Sequence, residues 1–273
     1  MARPSHRTMF GMRTLVVLPT YNEADNIVEV LRQLRKAVAA ADILVVDDAS
    51  PDGTAEIARL VGMELGGIDV LMRAGKLGLG SAYREGFIEG LRRGYQMLVE
   101  MDGDLSHDPA TLPDLLRAVG GGADLAVGSR YIPGGSIPHW SVCRRALSRW
   151  GNRYARWVLN LPLADATSGF RAYHADIVAK LDLPSIRSDG YGFQIEMAYR
   201  VARLGGGIVE VPIEFVDRER GTSKMSFRII VEALRLVTWW GVLDAFQARV
   251  EQARRTRQYH QSQAARTESD ADA

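Results

Sequence analysis

The stretch LVEMDGDLSHDP, residues 98–109, breaks an apolar run abruptly into Asp102, Asp104 and Asp108. Two carboxylates one residue apart, on a turn leaving a strand, can reach a hard divalent cation together with the phosphate oxygens that it bridges. A nucleoside diphosphate suits that arrangement. Magnesium or manganese held there would offset charge growing on a diphosphate leaving group without any proton transfer. His107 beside the pair is either a further ligand or a hydrogen-bond partner of the turn, and the preference of Mg²⁺ for oxygen favours the second. A surface turn uses the same residue types, so the surroundings must decide.

The elements that position the pair follow from hydrophobic spacing. TLVVLP (14–19), ILVVDD (43–48), IDVLM (68–72), YQMLVEM (95–101), ADLAVGS (123–129) and IVEVPIEF (208–215) read as strands. Between the early ones, Ile27, Val30, Leu31 and Leu34 recur at helical spacing, as do Ala82, Phe87 and Leu91, and GFQIEMAYRVARLG (192–205) carries a further helical pattern. Such alternation predicts an α/β domain, a parallel sheet with helices on both faces. Ligands of these sheets bind beyond the carboxyl ends of the strands, where loops and helix N-termini converge. Three strand ends are unusually polar: PTYNE (19–23), DDAS (47–50) and DGD (102–104). They would face one crevice.

Other function classes lose ground. No GxxxxGK[ST] phosphate loop occurs, since RAGKLGLGS has Leu77 after Lys76, and LPTYNEADN lacks the glycines of a dinucleotide site. With 34 basic and 33 acidic residues the 273-residue chain has a formal net charge of +1, which gives no global case for nucleic acid as a partner. Cys143 is the sole cysteine, so neither an internal disulfide nor a multi-cysteine zinc site is available. The basic N-terminus lacks the apolar centre of a secretory signal, and no run reaches a spanning length, so a cytoplasmic protein is expected unless a surface recruits it. Charge is nonetheless uneven. Residues 125–164 contain no acid but six arginines, Arg130, Arg144, Arg145, Arg149, Arg153 and Arg156, a pattern suited to an anionic ligand.

Together LPTYNEADNI, VVDDASPDGT, GLGSAYREGF, VEMDGDLSHDP, GSRYIPGG, ATSGFRAY and RERGTSKMS resemble the polyprenol-phosphate mannose synthases, family-two glycosyltransferases of the GT-A fold, in order from about residue 13 to 230. The resemblance implies a Rossmann-like, mostly parallel sheet and transfer of mannose from GDP-mannose to a polyprenyl monophosphate. It places Pro19, Tyr21, Glu23, Val46 and Asp48 at the nucleoside, and Asp102 and Asp104 at Mg²⁺ or Mn²⁺ with backbone contacts from Met101 and Gly103. Where some relatives have a metal-shell Gln, this chain has Ser106. Around the phosphates of donor and acceptor the matching positions are Arg130, Arg144, Ser148, Arg218 and Lys224, with Gln194 either reaching the donor or lying on a polar helix face. Asp104, Arg130, Arg218 and Lys224 would carry catalysis. Because a phosphomonoester is largely ionised at neutral pH, the lipid phosphate needs no strong base to attack in line and invert the sugar. Transfer of glucose, N-acetylglucosamine or aminoarabinose to the same lipid, or an inactive scaffold role, are the competing readings.

The domain expected is 13–226, between a flexible 1–12 and a polar, flexible tail from 249. The apolar segment 227–248 carries Glu232, Arg235 and Thr238 as one narrow polar stripe and Trp239 and Trp240 near its end. It is read as a helix lying in the membrane interface or docking on an integral membrane partner, or else as one packed on the sheet or on another copy of the chain. Peripheral attachment to the cytoplasmic face through this segment and the basic stripe is the expectation.

Overall fold

The computed structural model describes residues 11–216, 231–247, 249 and 250. Within them one sheet of seven strands takes shape: β1 (Thr14–Thr20), β2 (Asp42–Asp47), β3 (Ile68–Met72), β4 (Met97–Glu100), β5 (Leu125–Ser129), β6 (Arg171–His174) and β7 (Ile208–Pro212). Their spatial order is β3-β2-β1-β4-β6-β5-β7. Every pairing is parallel except those of β6, which runs antiparallel to β4 and to β5. The hydrophobic runs anticipate six of these strands. β6 is the exception, four buried residues that begin on an arginine and so carry no apolar run.

Successive strand residues point to opposite faces, so each strand feeds two cores. Leu15 and Val17 of β1 join one cluster, beneath α3 (Leu79–Arg92), α5 (Val142–Leu159), α7 (Gly190–Arg203) and a helix over 231–247, here α8. Val16 and Leu18 join the other, beneath α1 (Ile27–Ala37), α2 (Thr54–Leu65) and α4 (Leu112–Gly120); the short α6 (Ala175–Val178) follows β6. The four apolar positions expected to bury α1 are all 0% exposed. Glycine sets how closely α3 lies on the sheet: a Cβ at Gly86 would strike Val17 Cγ1, and one at Gly90 would come within 2.5 Å of Leu98 Cδ2. Each glycine costs about 1 kcal/mol of helix propensity, which the closer packing offsets.

Of the segment 227–248, residues 227–230 and 248 lie outside the described ones, and the rest packs one face against the domain. Ala233 and Val237 of α8 are buried, Trp240 stacks on Tyr199 of α7, and a Cβ on Gly241 would strike Val158 of α5. Thr238 of the polar stripe shares a 2.7 Å hydrogen bond with the Tyr154 hydroxyl of α5, and the Tyr199 hydroxyl donates to Asp244 at 2.7 Å. The opposite face leaves Trp239 61% and Phe246 65% exposed. Among the described residues no helix is long and apolar enough to cross a membrane.

Candidate active site

Three loops leave the carboxyl ends of β1, β2 and β4, and each contains a non-glycine residue with positive φ: Asn22 (57°), Ala49 (55°) and Leu105 (62°). A left-handed residue with a side chain costs of order 1–3 kcal/mol and persists where its surroundings over-determine it. Here those surroundings are polar. Buried Asp47 accepts from Thr20 Oγ1 at 2.7 Å, Ser50 Oγ at 2.6 Å and Ser50 N at 2.8 Å, while Asn22 N donates to Ser50 Oγ at 3.0 Å. Asp47 thereby ties the PTYNE and DDAS turns together. Asp52 receives Ala24 N and the amide and hydroxyl of Thr54; burial alone would raise its carboxyl, but these bonds hold it below its ordinary value.

The neighbouring Asp48 faces the other way. Its Oδ1 lies 2.5 Å from Arg73 Nη1 and its Oδ2 accepts Leu77 N at 3.1 Å, folding the 73–81 loop over the cleft. That loop sets Lys76 Nζ 4.3 Å from the centroid of the half-buried Tyr21 ring, and Glu23 accepts from Asn26 Nδ2 at 2.9 Å. Pro19 and Val46 are register partners across β1 and β2, and Val46 and Met101 are wholly buried in the core. Gly103 closes against Pro19 O, 3.5 Å from where its Cβ would sit.

Of the acidic pair, Asp102 is half-buried and accepts from the Tyr83 hydroxyl of α3 at 2.9 Å, on a ring stacked 5.9 Å from Phe193. Asp104, expected on an exposed turn, is 3% exposed: its Oδ1 accepts Ser106 N at 3.0 Å, an Asx turn that carries Leu105 through its left-handed conformation. The buried Ser106 thus meets Asp104 through its backbone, and its carbonyl accepts Val216 N at 3.2 Å. Buried His107 stacks on Phe170 and meets Phe215 edge-on, so its ring is packed beneath the turn by aromatic contact. Beneath the pair, burial pushes the Glu100 carboxyl up to about 7, against the pull of Arg171 and of a 2.6 Å bond from the Tyr173 hydroxyl. The Gln194 amide is buried beside Glu100 and Asp102 with no well-formed hydrogen bond among the described residues.

The loop 165–171 joins this acidic end to the basic one. Arg171, 0% exposed, donates to three backbone carbonyls, Ser168 O at 2.7 Å, Ala166 O at 2.7 Å and Gln194 O at 2.6 Å, and so pins the loop from below. Above it, Gly169 lies against Asp102, where a Cβ would be 3.5 Å from Oδ2. Asp165 accepts Arg130 Nε and Nη2 at 2.6 Å each and Arg130 N at 3.0 Å; Thr167 Oγ1 takes Nη2 at 2.8 Å. Burial would lift Asp165, yet the guanidinium holds it below the ordinary carboxylate value. Arg130 is therefore built in before any phosphate arrives, packed 5.4–5.6 Å from the rings of Tyr131, Trp140 and Phe215.

Arg144 lies 3.8 Å over the same Trp140 ring, and Ser148 Oγ accepts the Tyr131 hydroxyl at 2.6 Å. Arg144 and Ser148 head a cleft between α5 and α8, lined further on by Leu147, Gly151, Ile195 and Val237 and closed at its polar end by Tyr191. Burial raises the Tyr191 hydroxyl, which feels Arg130, Arg144 and Asp102 at once. Tyr191 thus lies between the basic and the acidic ends.

The family model for glycosyl transferase family 2 matches residues 15–182. An undecaprenyl-phosphate mannosyltransferase of Micrococcus luteus is 52% identical over 85% of this chain and 95% of its own length. The chain belongs to glycosyl transferase family 2, among the polyprenol-phosphate mannose synthases. A polyprenol monophosphomannose synthase of Mycolicibacterium smegmatis is 46% identical over 89% of this chain and 90% of its own. The fold is that of the GT-A glycosyltransferases: glucosyl-3-phosphoglycerate synthase of Mycobacterium tuberculosis, solved with Mn²⁺, UDP and glucosyl-3-phosphoglycerate, superposes with a TM-score of 0.60 at 20% identity, over 89% of this chain and 85% of that one.

The residues singled out in the sequence fall in two groups. Tyr21, Glu23 and the 102–104 turn come together at the strand ends; Arg130, Arg144 and Ser148 come together at the head of the cleft. Arg218 and Lys224 lie outside the described residues. Asp102 and Asp104 offer carboxylate oxygen alone, the donor that suits a hard cation, and would hold such an ion as a pair. Residues missed by sequence reasoning are the supports, Asp47, Arg73, Tyr83, Tyr131, Asp165 and Tyr191. One signal was present, since Asp165 is the acid that ends the acid-free run.

Proposed function

We propose that this glycosyltransferase moves mannose from GDP-mannose to the phosphate of a polyprenyl monophosphate, working from the cytoplasmic face of a membrane. The observation that carries the reading is a succession of three chemistries along the 165–171 loop: the Asp102–Asp104 turn against Gly169, the Arg130–Arg144–Ser148 group about Asp165 and Thr167, and an apolar cleft leading away between α5 and α8. Hydrocarbon, phosphate and sugar diphosphate each have a matching wall.

In this scheme Asp102 and Asp104 would hold Mg²⁺ or Mn²⁺, with Tyr83 fixing one carboxylate; bound there, the ion neutralises charge on the departing diphosphate. Arg144 and Ser148 orient the acceptor phosphate, and Arg130 presents a fixed positive charge behind them, preorganised because Asp165 already sets its direction. An ionised phosphate oxygen attacks the anomeric carbon in line, and the C–O bond to GDP breaks with inversion. No described side chain is needed as a strong base. The exposed Trp150, Trp157, Trp239 and Phe246 give α5 and α8 an outward apolar face for the bilayer interface.

The test incubates purified protein with Mg²⁺ or Mn²⁺, undecaprenyl phosphate and a panel of radiolabelled sugar nucleotides. Label from GDP-mannose alone should become organic-soluble. Equal or preferred transfer from UDP-glucose or UDP-N-acetylglucosamine would replace the sugar assignment, and no transfer from any donor would favour a scaffold.

A further inference from the structure

On the far side of Tyr131 from the acceptor cleft, a second and larger concavity of about 920 Å³ opens along α5. Its walls are Arg149, Arg153 and Arg156 on the helix, Tyr131 opposite, and the loop 160–164 at its end. Spacings of four and three put the three guanidiniums on one side of α5. All three are exposed, and among the described residues none of them pairs with a carboxylate. Glu210, behind the loop, turns its carboxylate inward to the amides of Ala164 and Asp165 at 2.8 and 3.0 Å. The rim is aromatic: Trp157 also lines the groove and is 81% exposed, and Trp150, 53% exposed, is held flat on Tyr154. Indoles beside an uncompensated arginine trio are the composition of a membrane interface, where the rings sit at headgroup depth and the cations meet phosphate.

We propose that this groove seats the phosphate of an anionic phospholipid headgroup, making bilayer docking a localised contact rather than an effect of diffuse charge. The inference rests on the membrane-surface reading above and adds a site to it. Tyr131 partitions the two phosphate positions. Its hydroxyl donates to Ser148 on the acceptor side, while its ring faces Arg149, 5.7 Å from the guanidinium carbon, on the groove side. The acceptor and the headgroup would therefore bind side by side without competing.

Flotation with phosphatidylcholine vesicles, with and without phosphatidylglycerol, tests it on the full chain. The variant Arg153→Gln/Arg156→Gln leaves the groove only Arg149 of its arginine trio, and Arg145→Gln/Arg249→Gln removes the same charge from outside it. Each cation at an anionic surface contributes about fivefold, so the groove pair should weaken partitioning onto phosphatidylglycerol vesicles about 30-fold. The control pair should lose at most about threefold, the share of screened, diffuse charge. Transfer to detergent-dispersed acceptor should stay at the wild-type rate in both variants. Equal losses in the two pairs, or equal wild-type partitioning onto both vesicles, would overturn the headgroup site while leaving membrane attachment intact. Failure of the wild type to float on either vesicle would instead remove the membrane reading and this site with it. Inorganic phosphate at constant ionic strength should not release bound protein; release would assign the groove to free phosphate and overturn the lipid assignment.

Discussion

Asp165→Ala isolates the contribution of the pair that aims Arg130. In the native chain both groups are buried, at 0% and 5% exposure, and joined by two 2.6 Å bonds. Deleting one partner of such a pair costs about 3–5 kcal/mol, because the remaining charge stays buried without compensation. Arg130 would keep Thr167 and the flanking faces of Tyr131, Trp140 and Phe215, which places the expected loss near the lower end, about 3 kcal/mol. The double variant Arg130→Met/Asp165→Leu removes both charges and should recover to within about 1 kcal/mol of wild type while transfer stays lost. Urea unfolding followed by circular dichroism measures both. The pH dependence has a defined sign: a carboxyl held below its ordinary 3.8 stabilises the fold at all pH above that value and loses the contribution as pH falls through its depressed folded value. The gap between wild type and Asp165→Ala should hold steady above about pH 5 and narrow below about 4. A single variant within about 1 kcal/mol of wild type at pH 7, or a double variant less stable than the single, would refute the reasoning.

Asp104→Asn keeps the acceptor for Ser106 N but not the charge, so transfer should drop by roughly 10²-fold or more with the unfolding midpoint held, and full turnover in excess EDTA would discard the metal. Tyr83→Phe retains the stack on Phe193 and removes one hydrogen bond to Asp102; Mn²⁺ affinity in the presence of GDP, read by electron paramagnetic resonance, should weaken about 10–100-fold, and an unchanged value would deny Tyr83 its orienting role. Gly151 borders the apolar cleft, and a Cβ there would meet nothing within 4 Å, so Gly151→Leu should raise KM for undecaprenyl phosphate about tenfold and leave KM for the sugar nucleotide alone; parallel changes in both would separate the cleft from the acceptor.

The polar strand ends of the candidate site were legible because their signals are local. Three polar turns each follow an apolar run, and strand ends of a parallel sheet share one edge, so Tyr21, Glu23 and Asp102 are brought together by topology alone. The supports were not legible, because each acts across a long sequence gap: Asp165 on Arg130 from 35 residues away, Tyr83 on Asp102 from 19. Asp48, which the resemblance placed at the nucleoside, carries partners of the same long-range kind, Arg73 and Leu77, 25 and 29 residues on. For α8 the apolar pattern left packing and interface open; packing holds for the face that carries Ala233 and Val237, and the other face is exposed.

The antiparallel β6 has a consequence for how the chain is made. β5 finds its hydrogen-bonding neighbours only in β6 and β7, and β4 is closed on one side by β6. Until residues 171–174 leave the ribosome, the sheet ends at an open β4 edge and the 125–129 strand has nothing to pair with. Unpaired edges template aggregation during synthesis. A fragment ending before residue 170 would thus retain the Tyr21, Glu23 and Asp102 loops and still be a poor folding unit, and β6 acts as the clasp that turns two incomplete sheets into one enzyme.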